Sequence, residues 1–155
     1  GLARYVTTVA NSGTCYNLTL VNKITDRGGN LLLENKATVR NNVDMTGAEW
    51  NAIHSGMRQV VESKAYYNDL AVKVAGKTGT AEEDKSRANH ALFVCYAPYE
   101  QPEIAIATRI AFGYTSTYAA QLTKDIICYH FDLKDKEELI TGTAVQMNES
   151  TAVTD

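Results

Sequence analysis

Apolar residues near the start of the chain recur at helical spacing. Leu2, Tyr5, Val6, Val9 and Ala10 share one face, and Gly13 stands where such a helix ends. The stretch from Asn17 to Lys36 then carries two short apolar runs separated by Asp26, Arg27, Gly28, Gly29 and Asn30. That is a strong reversal signal between extended segments. Thr46 followed three residues later by Glu49 forms a capping-box pattern ahead of Trp50, Ile53, Met57, Val60 and Val61, which predicts a helix with a core-facing stripe. Three β-compatible runs follow, Val72–Ala81, about His90–Tyr96 and about Glu103–Ala111, joined by short connections that favour antiparallel neighbours. In the third, Ile104, Ile106, Thr108 and Ile110 alternate with Ala105, Ala107 and Arg109, the period of a strand with two different faces. After it, Tyr118, Leu122, Ile126 and Tyr129 share a helical face that Thr115 or Ser116 can cap, which predicts a closing helix packed on the sheet. Residues 132–155 lose the periodicity, turn polar at the end, and are expected to form a frayed or disordered tail.

Length and charge narrow the function classes. A chain of 155 residues with 45% hydrophobic content suits one domain with a single sizeable core. Its net charge of -3, from 15 basic and 18 acidic residues, comes with no basic cluster interleaved with aromatics, so nucleic acid is not an expected partner. Cys15, Cys95 and Cys128 lack metal-ligand or disulfide-framework spacing and are read as buried thiols. His54, His90 and His130 show no ligand spacing either, so no metal or other cofactor is expected and the histidines are assigned to packing or to the surface. No apolar run approaches the roughly 20 residues that span a bilayer, and the opening residues lack the basic-then-apolar pattern of a leader.

Chemistry concentrates in "VKVAGKTGTAEE", Val72 to Glu83. Read from Gly76, the letters GKT suggest the end of a phosphate-binding loop. Such a loop needs a glycine five residues earlier so that the backbone can wrap the phosphate, and that position is Ala71. Glu82, Glu83 and Asp84 follow where an anion would sit, and the chain continues into a strand rather than a nucleotide-binding helix. The phosphate reading therefore fails. With Lys77–Thr80 on a strand instead, Lys77 and Gly79 share one direction, Thr78 and Thr80 the other, and Gly79 allows a peptide-like ligand to approach the backbone closely.

The surroundings carry a resemblance. "VAGKTGTAE", the polar connector, "NHALFVCYAP", "PEIAIATRI" and the final helix resemble the C-terminal part of penicillin-binding protein transpeptidases, especially the monofunctional class B type. Upstream, "YVTTVANSGTCYNLTLVNKITDRGGNLL" and "WNAIHSGMRQVVES" are similar to that family's helix ending in Ala-Asn-x-Gly and to its helix carrying Gly-Met and paired valines. The similarity runs from Gly1 to about Phe131. It departs from the family at Cys95, where glycine is frequent, and at Leu92, where tryptophan is common; both read as packing variation.

The resemblance implies an α+β class, a partial transpeptidase/β-lactamase-like fold with an antiparallel sheet of about three main strands packed with helices. It divides the chain into residues 1–131, the C-terminal portion of a transpeptidase domain, and the tail 132–155. The implied reaction is acyl transfer from the D-Ala-D-Ala end of a peptidoglycan stem peptide, which β-lactams imitate. Lys77 would then supply positive potential and join the proton network. The hydroxyls of Thr78 and Thr80 would bind the donor carboxylate, the Thr80 backbone N–H would form half of an oxyanion hole, and Gly79 would give clearance. The implied location is the extracytoplasmic face of a bacterial membrane.

Two of the three signatures of such a site are missing. No serine is followed three positions later by lysine, and none by asparagine two positions later. Both elements precede the matching region in the family, so this piece is expected to be inactive alone. A β-lactam sensor is the alternative parent, and a hydrolysing β-lactamase a third. In the family fold the strand at Glu103–Ala111 pairs with a strand from the earlier part. Its open edge here predicts dimerisation, as a homodimer, or aggregation through Ile104–Ile110.

Overall fold

The computed structural model describes residues 1–139, which build two helical layers around an antiparallel sheet. Helix α1 covers Leu2–Ala10 and buries Val6 and Val9. Its exit is fixed by Gly13, held at a φ of +100 where a side chain would stand 2.5 Å from the Val43 carbonyl and 2.8 Å from the Trp50 ring. Left-handed backbone and close approach together demand glycine here. Strand β1 (Thr14–Tyr16) then pairs antiparallel with β4 (Val39–Asn42).

Between them, β2 (Lys23–Thr25) and β3 (Leu31–Glu34) form a hairpin around the predicted reversal. The Asp26 carboxylate closes its turn, accepting from the backbone N–H groups of Gly28 and Asn30 and from the Asn30 side chain at 2.8–2.9 Å. These bonds, the Asn30 side-chain amide foremost, hold its carboxyl below the usual carboxylate range. All residues of the hairpin are exposed, so the turn, rather than core packing, specifies this arm.

Helix α2 spans Gly47–Glu62 and opens with the predicted capping box. The Glu49 N–H donates to the Thr46 hydroxyl at 3.3 Å, and the Glu49 carboxylate accepts from the Thr46 N–H at 2.7 Å. Trp50, Met57 and Val61 are buried on its inner stripe. A short 3-10 turn at Ala65–Tyr67 leads into the main sheet of β5 (Ala75–Ala81), β6 (His90–Ala97) and β7 (Ile104–Ile110), ordered β5-β6-β7 and antiparallel throughout. Strand β5 begins three residues later than the pattern suggested, at Ala75 rather than Val72.

Period-two alternation sends β6 side chains into two cores. Phe93, Cys95 and Ala97 join Ala119, Ala120 and Ile127 of the closing helix α3 (Ser116–His130), whereas Tyr96 joins Val9, Met57 and Ala75 on the α1 and α2 side. All three cysteines are buried free thiols, as read from their spacing, and burial pushes the Cys95 thiol up to about 12.

One expectation is corrected. Thr115 caps α3 as anticipated, but Leu122, Ile126 and Tyr129 are exposed, and the face applied to the sheet is Ala119, Ala120, Thr123 and Ile127. The sheet already presents the bulk of Phe93, so small residues on the helix allow close approach. The two layers are joined by a buried hydroxyl pair, Thr108 to Thr123 at 2.6 Å, and the 3-10 turn is tied to α3 by Tyr67 Oη donating to the Ala120 carbonyl at 2.8 Å. Apolar periodicity marks a face without saying which face the sheet takes. Helix α4 occupies Lys136–Leu139 within the region expected to be a tail; residues 140–155 lie outside those described.

Candidate active site

The Lys-Thr-Gly-Thr segment lies in the middle of β5, at one edge of the main sheet. Its register with β6 is unbroken: Lys77 opposite Val94, Thr78 opposite Phe93, Gly79 opposite Leu92 and Thr80 opposite Ala91. Lys77 and Gly79 therefore share a face of the strand, as do Thr78 and Thr80. The main-chain groups of Thr78 and Thr80 also project toward one and the same edge. Lys77 and Thr80 are exposed, Thr78 and Gly79 half-buried. All four predicted site residues are thus brought together on one strand beside solvent.

The electrostatics of Lys77 are simple. Its Nζ donates to the Thr78 carbonyl at 2.9 Å, and no carboxylate pairs with it among the described residues. An ammonium bound only to a neutral carbonyl keeps its charge available for an incoming anion.

The two glycines around it differ in kind. A Cβ on Gly76 would stand 2.6 Å from Phe93 Cζ and 2.8 Å from the Val94 carbonyl, so packing requires glycine there. A Cβ on Gly79 would meet nothing nearer than Leu92 Cβ at 3.5 Å, an ordinary contact. The fold of the described residues has no need of glycine at 79.

Beyond Thr80 lies a polar cluster that sequence reasoning did not single out as a site: Glu83, His90 and Arg109. The buried His90 Nε2 is 2.8 Å from the Glu83 carboxylate and 3.1 Å from Arg109 Nη2, while its Nδ1 accepts from the Phe112 N–H at 3.1 Å. His54 likewise contacts the Val9 carbonyl, at 2.9 Å. Both histidines are hydrogen-bonded within the protein. What joins residues 83, 90, 109 and 112 is strand register, for which no local spacing is a signal. Among the described residues no cluster of His, Cys, Asp and Glu has the makings of a metal site.

The chain and its fold resemble known proteins. A family model described as the penicillin binding protein transpeptidase domain matches residues 1–128. Penicillin-binding protein 2B of Streptococcus pneumoniae serotype 2 is 32% identical over 145 residues, covering 81% of this chain and 21% of that protein. The D,D-transpeptidase domain of a peptidoglycan glycosyltransferase from Eggerthella lenta superposes with a TM-score of 0.69 at 25% identity, over 85% of this chain and 32% of that one. Penicillin-binding protein A from M. tuberculosis, solved as an imipenem acyl-enzyme complex, matches with a TM-score of 0.64 over 72% of this chain and 25% of that one; at 21% identity it shows the shared fold. The chain spans about a fifth of the length of the curated relatives it matches, 21% of the pneumococcal protein and 22% of penicillin-binding protein 2A of Bacillus subtilis.

Proposed function

The chain belongs to the penicillin-binding protein transpeptidase family, class B type, and on that premise we propose that Lys77–Thr80 forms one wall of a peptidoglycan D,D-transpeptidase site. The observation that carries this reading is an edge strand whose ammonium has no carboxylate partner among the described residues, close to a glycine that the packing of those residues does not require. A peptide-like donor laid along the side of β5 that no described strand covers gains main-chain hydrogen bonds from the strand, and clearance at Gly79 lets it lie close.

The chemistry divides between this chain and a serine supplied by the rest of the polypeptide. The serine oxygen attacks the carbonyl of the penultimate D-Ala. The bond to the terminal D-Ala breaks, that residue leaves as the amine, and the acyl-enzyme passes to an acceptor amine. Lys77 holds the donor's terminal carboxylate electrostatically. The hydroxyls of Thr78 and Thr80 donate to that carboxylate, and the Thr80 N–H stabilises the oxyanion formed during attack. A penicillin presents a reactive carbonyl in its β-lactam ring and a carboxylate on the fused ring, and is taken as a substrate mimic. Stem peptides are cross-linked outside the cytoplasmic membrane, so the site works at the extracytoplasmic face; among the described residues no helix is long and apolar enough to cross a bilayer. Nothing in the described residues favours the sensor or β-lactamase readings over this one.

Fluorescent penicillin tests the division of labour. The full-length protein is expected to label covalently, and the 155-residue chain to stay unlabelled, because no serine in it has lysine three positions on. Labelling of the 155-residue chain on a serine would refute the reading.

A second copy of the chain is the other proposed partner. Strand β7 pairs with β6 alone among the described strands, leaving Ile104–Ile110 with an open edge. Light scattering over a rising concentration series should show a mass approaching that of a dimer; a constant monomer mass would rule the contact out.

A further inference from the structure

The connector 82–89 borders the proposed site, since it leaves β5 directly after Thr80 and Ala81. Inside the connector, Asp84 Oδ1 accepts from the Ser86 N–H and hydroxyl, each at 2.7 Å, and the Arg87 N–H donates to the Asp84 carbonyl at 3.1 Å. These bonds shape the loop locally without tying it to the sheet. The Glu83 to His90 contact does tie it, at 2.8 Å.

Which group donates follows from the other side of the ring. His90 Nδ1 accepts the Phe112 N–H, so it carries no proton, and the proton of the neutral imidazole sits on Nε2. A carboxylate can only accept; the Nε2–H therefore donates to Glu83, and the Arg109 guanidinium, 3.1 Å from the same nitrogen, lies beside the pair as a neighbouring positive charge. The Phe112 ring packs tilted against His90 with ring centroids 4.8 Å apart, and the Arg87 guanidinium stands 5.5 Å from the Phe112 ring. Phe112 and Tyr114 are both held in left-handed backbone, at φ of 53 and 63, and the Tyr114 N–H donates to the Asn89 carbonyl at 3.1 Å. One buried imidazole thus pins the connector on one side and the turn after β7 on the other.

The register places this clamp beside the chemistry. His90 is the cross-strand partner of Ala81, and its neighbour Ala91 is the partner of Thr80. We propose that Glu83 and His90 are positioning residues for acyl transfer: their hydrogen bond locks the end of β5, so that the Thr80 N–H and hydroxyl stay aligned on the acyl donor. This inference deepens the reading of Lys77–Thr80 as a donor-binding wall and rests on it. Neither residue touches substrate. Their effect is geometric, and a displacement of about 1 Å at a reacting centre costs up to about a hundredfold in rate.

Glu83 is the residue to change, because its side chain is 57% exposed and its removal leaves both cores intact. In the full-length protein, Glu83→Ala should lower the second-order rate of acylation by fluorescent penicillin about tenfold, with an unchanged unfolding midpoint. Glu83→Gln, whose amide oxygen still accepts from Nε2–H, should recover most of that loss. In the 155-residue chain, nitrogen-15 spectra should show His90 protonated at Nε2 and bare at Nδ1, and the Phe112 amide should exchange faster in Glu83→Ala. Labelling that requires Lys77 but is indifferent to Glu83→Ala would overturn this inference alone. Labelling indifferent to Lys77→Ala would overturn the site reading and this inference with it. A neutral His90 protonated at Nδ1 would also overturn the clamp.

Discussion

Replacing Lys77 by alanine in the full-length protein is expected to slow acylation by penicillin by about a hundredfold to a thousandfold, the scale on which preorganised electrostatic groups act in acyl-transfer sites. The expectation rests on where the ammonium lies. Lys77 is exposed on an edge strand, its Nζ bonds to the Thr78 carbonyl at 2.9 Å, and no carboxylate among the described residues neutralises it. Its removal costs the fold one surface hydrogen bond, so stability should change by no more than about 0.5 kcal/mol. A large loss of acylation with an unmoved urea midpoint assigns Lys77 to the chemistry. Lys77→Arg separates charge from shape, because a planar fork delivers its donors in a different geometry from a compact ammonium. Partial activity in that variant is the expected result, and a stopped-flow or gel-based time course of labelling reads it. Wild-type rates in Lys77→Ala would remove the residue from the site.

The second large effect is a contrast between two glycines three residues apart. Gly76→Ala should destabilise the chain by about 1–3 kcal/mol, the usual cost of overpacking a filled core. Its new Cβ would lie 2.6 Å from Phe93 Cζ and 2.8 Å from the Val94 carbonyl, and the second of these is backbone that cannot swing aside. Gly79→Ala should leave the unfolding midpoint in place, because the nearest atom is Leu92 Cβ at 3.5 Å. In the full-length protein the same Gly79→Ala change should cut acylation about tenfold or more, since the added methyl occupies space that a closely laid donor needs. Urea unfolding of the 155-residue chain and labelling kinetics of the full-length protein measure the two halves separately. If Gly79→Ala destabilises as much as Gly76→Ala, the clearance assignment fails. If it is silent in both assays, no donor passes close to that position.

Much of the architecture was legible in local patterns because its causes are local. The Thr46–Glu49 box closes within one turn of helix, and the Asp26–Asn30 reversal is held by the carboxylate of its own first residue. The alternation of Ile104, Ile106, Thr108 and Ile110 needs only the pleat of a strand. The Lys77–Thr80 segment is placed on a strand by its neighbours in sequence, and the missing glycine at position 71 by itself excludes a phosphate loop.

Other features depended on what lay opposite. Leu122, Ile126 and Tyr129 have the periodicity of a buried face, yet the sheet took Ala119, Ala120, Thr123 and Ile127, because a surface carrying Phe93 and Thr108 is best met by small side chains and a matching hydroxyl. Gly76 and Gly79 look alike in the sequence and differ only through the atoms across the strand. Glu83, His90, Arg109 and Phe112 form one hydrogen-bonded unit because two strand pairings bring them together; their separations along the chain hold no trace of it. Local propensity and motif identity were written in the order of residues, whereas face selection, packing clearance and the His90 clamp came from contacts between segments distant in sequence, which only the folded chain creates.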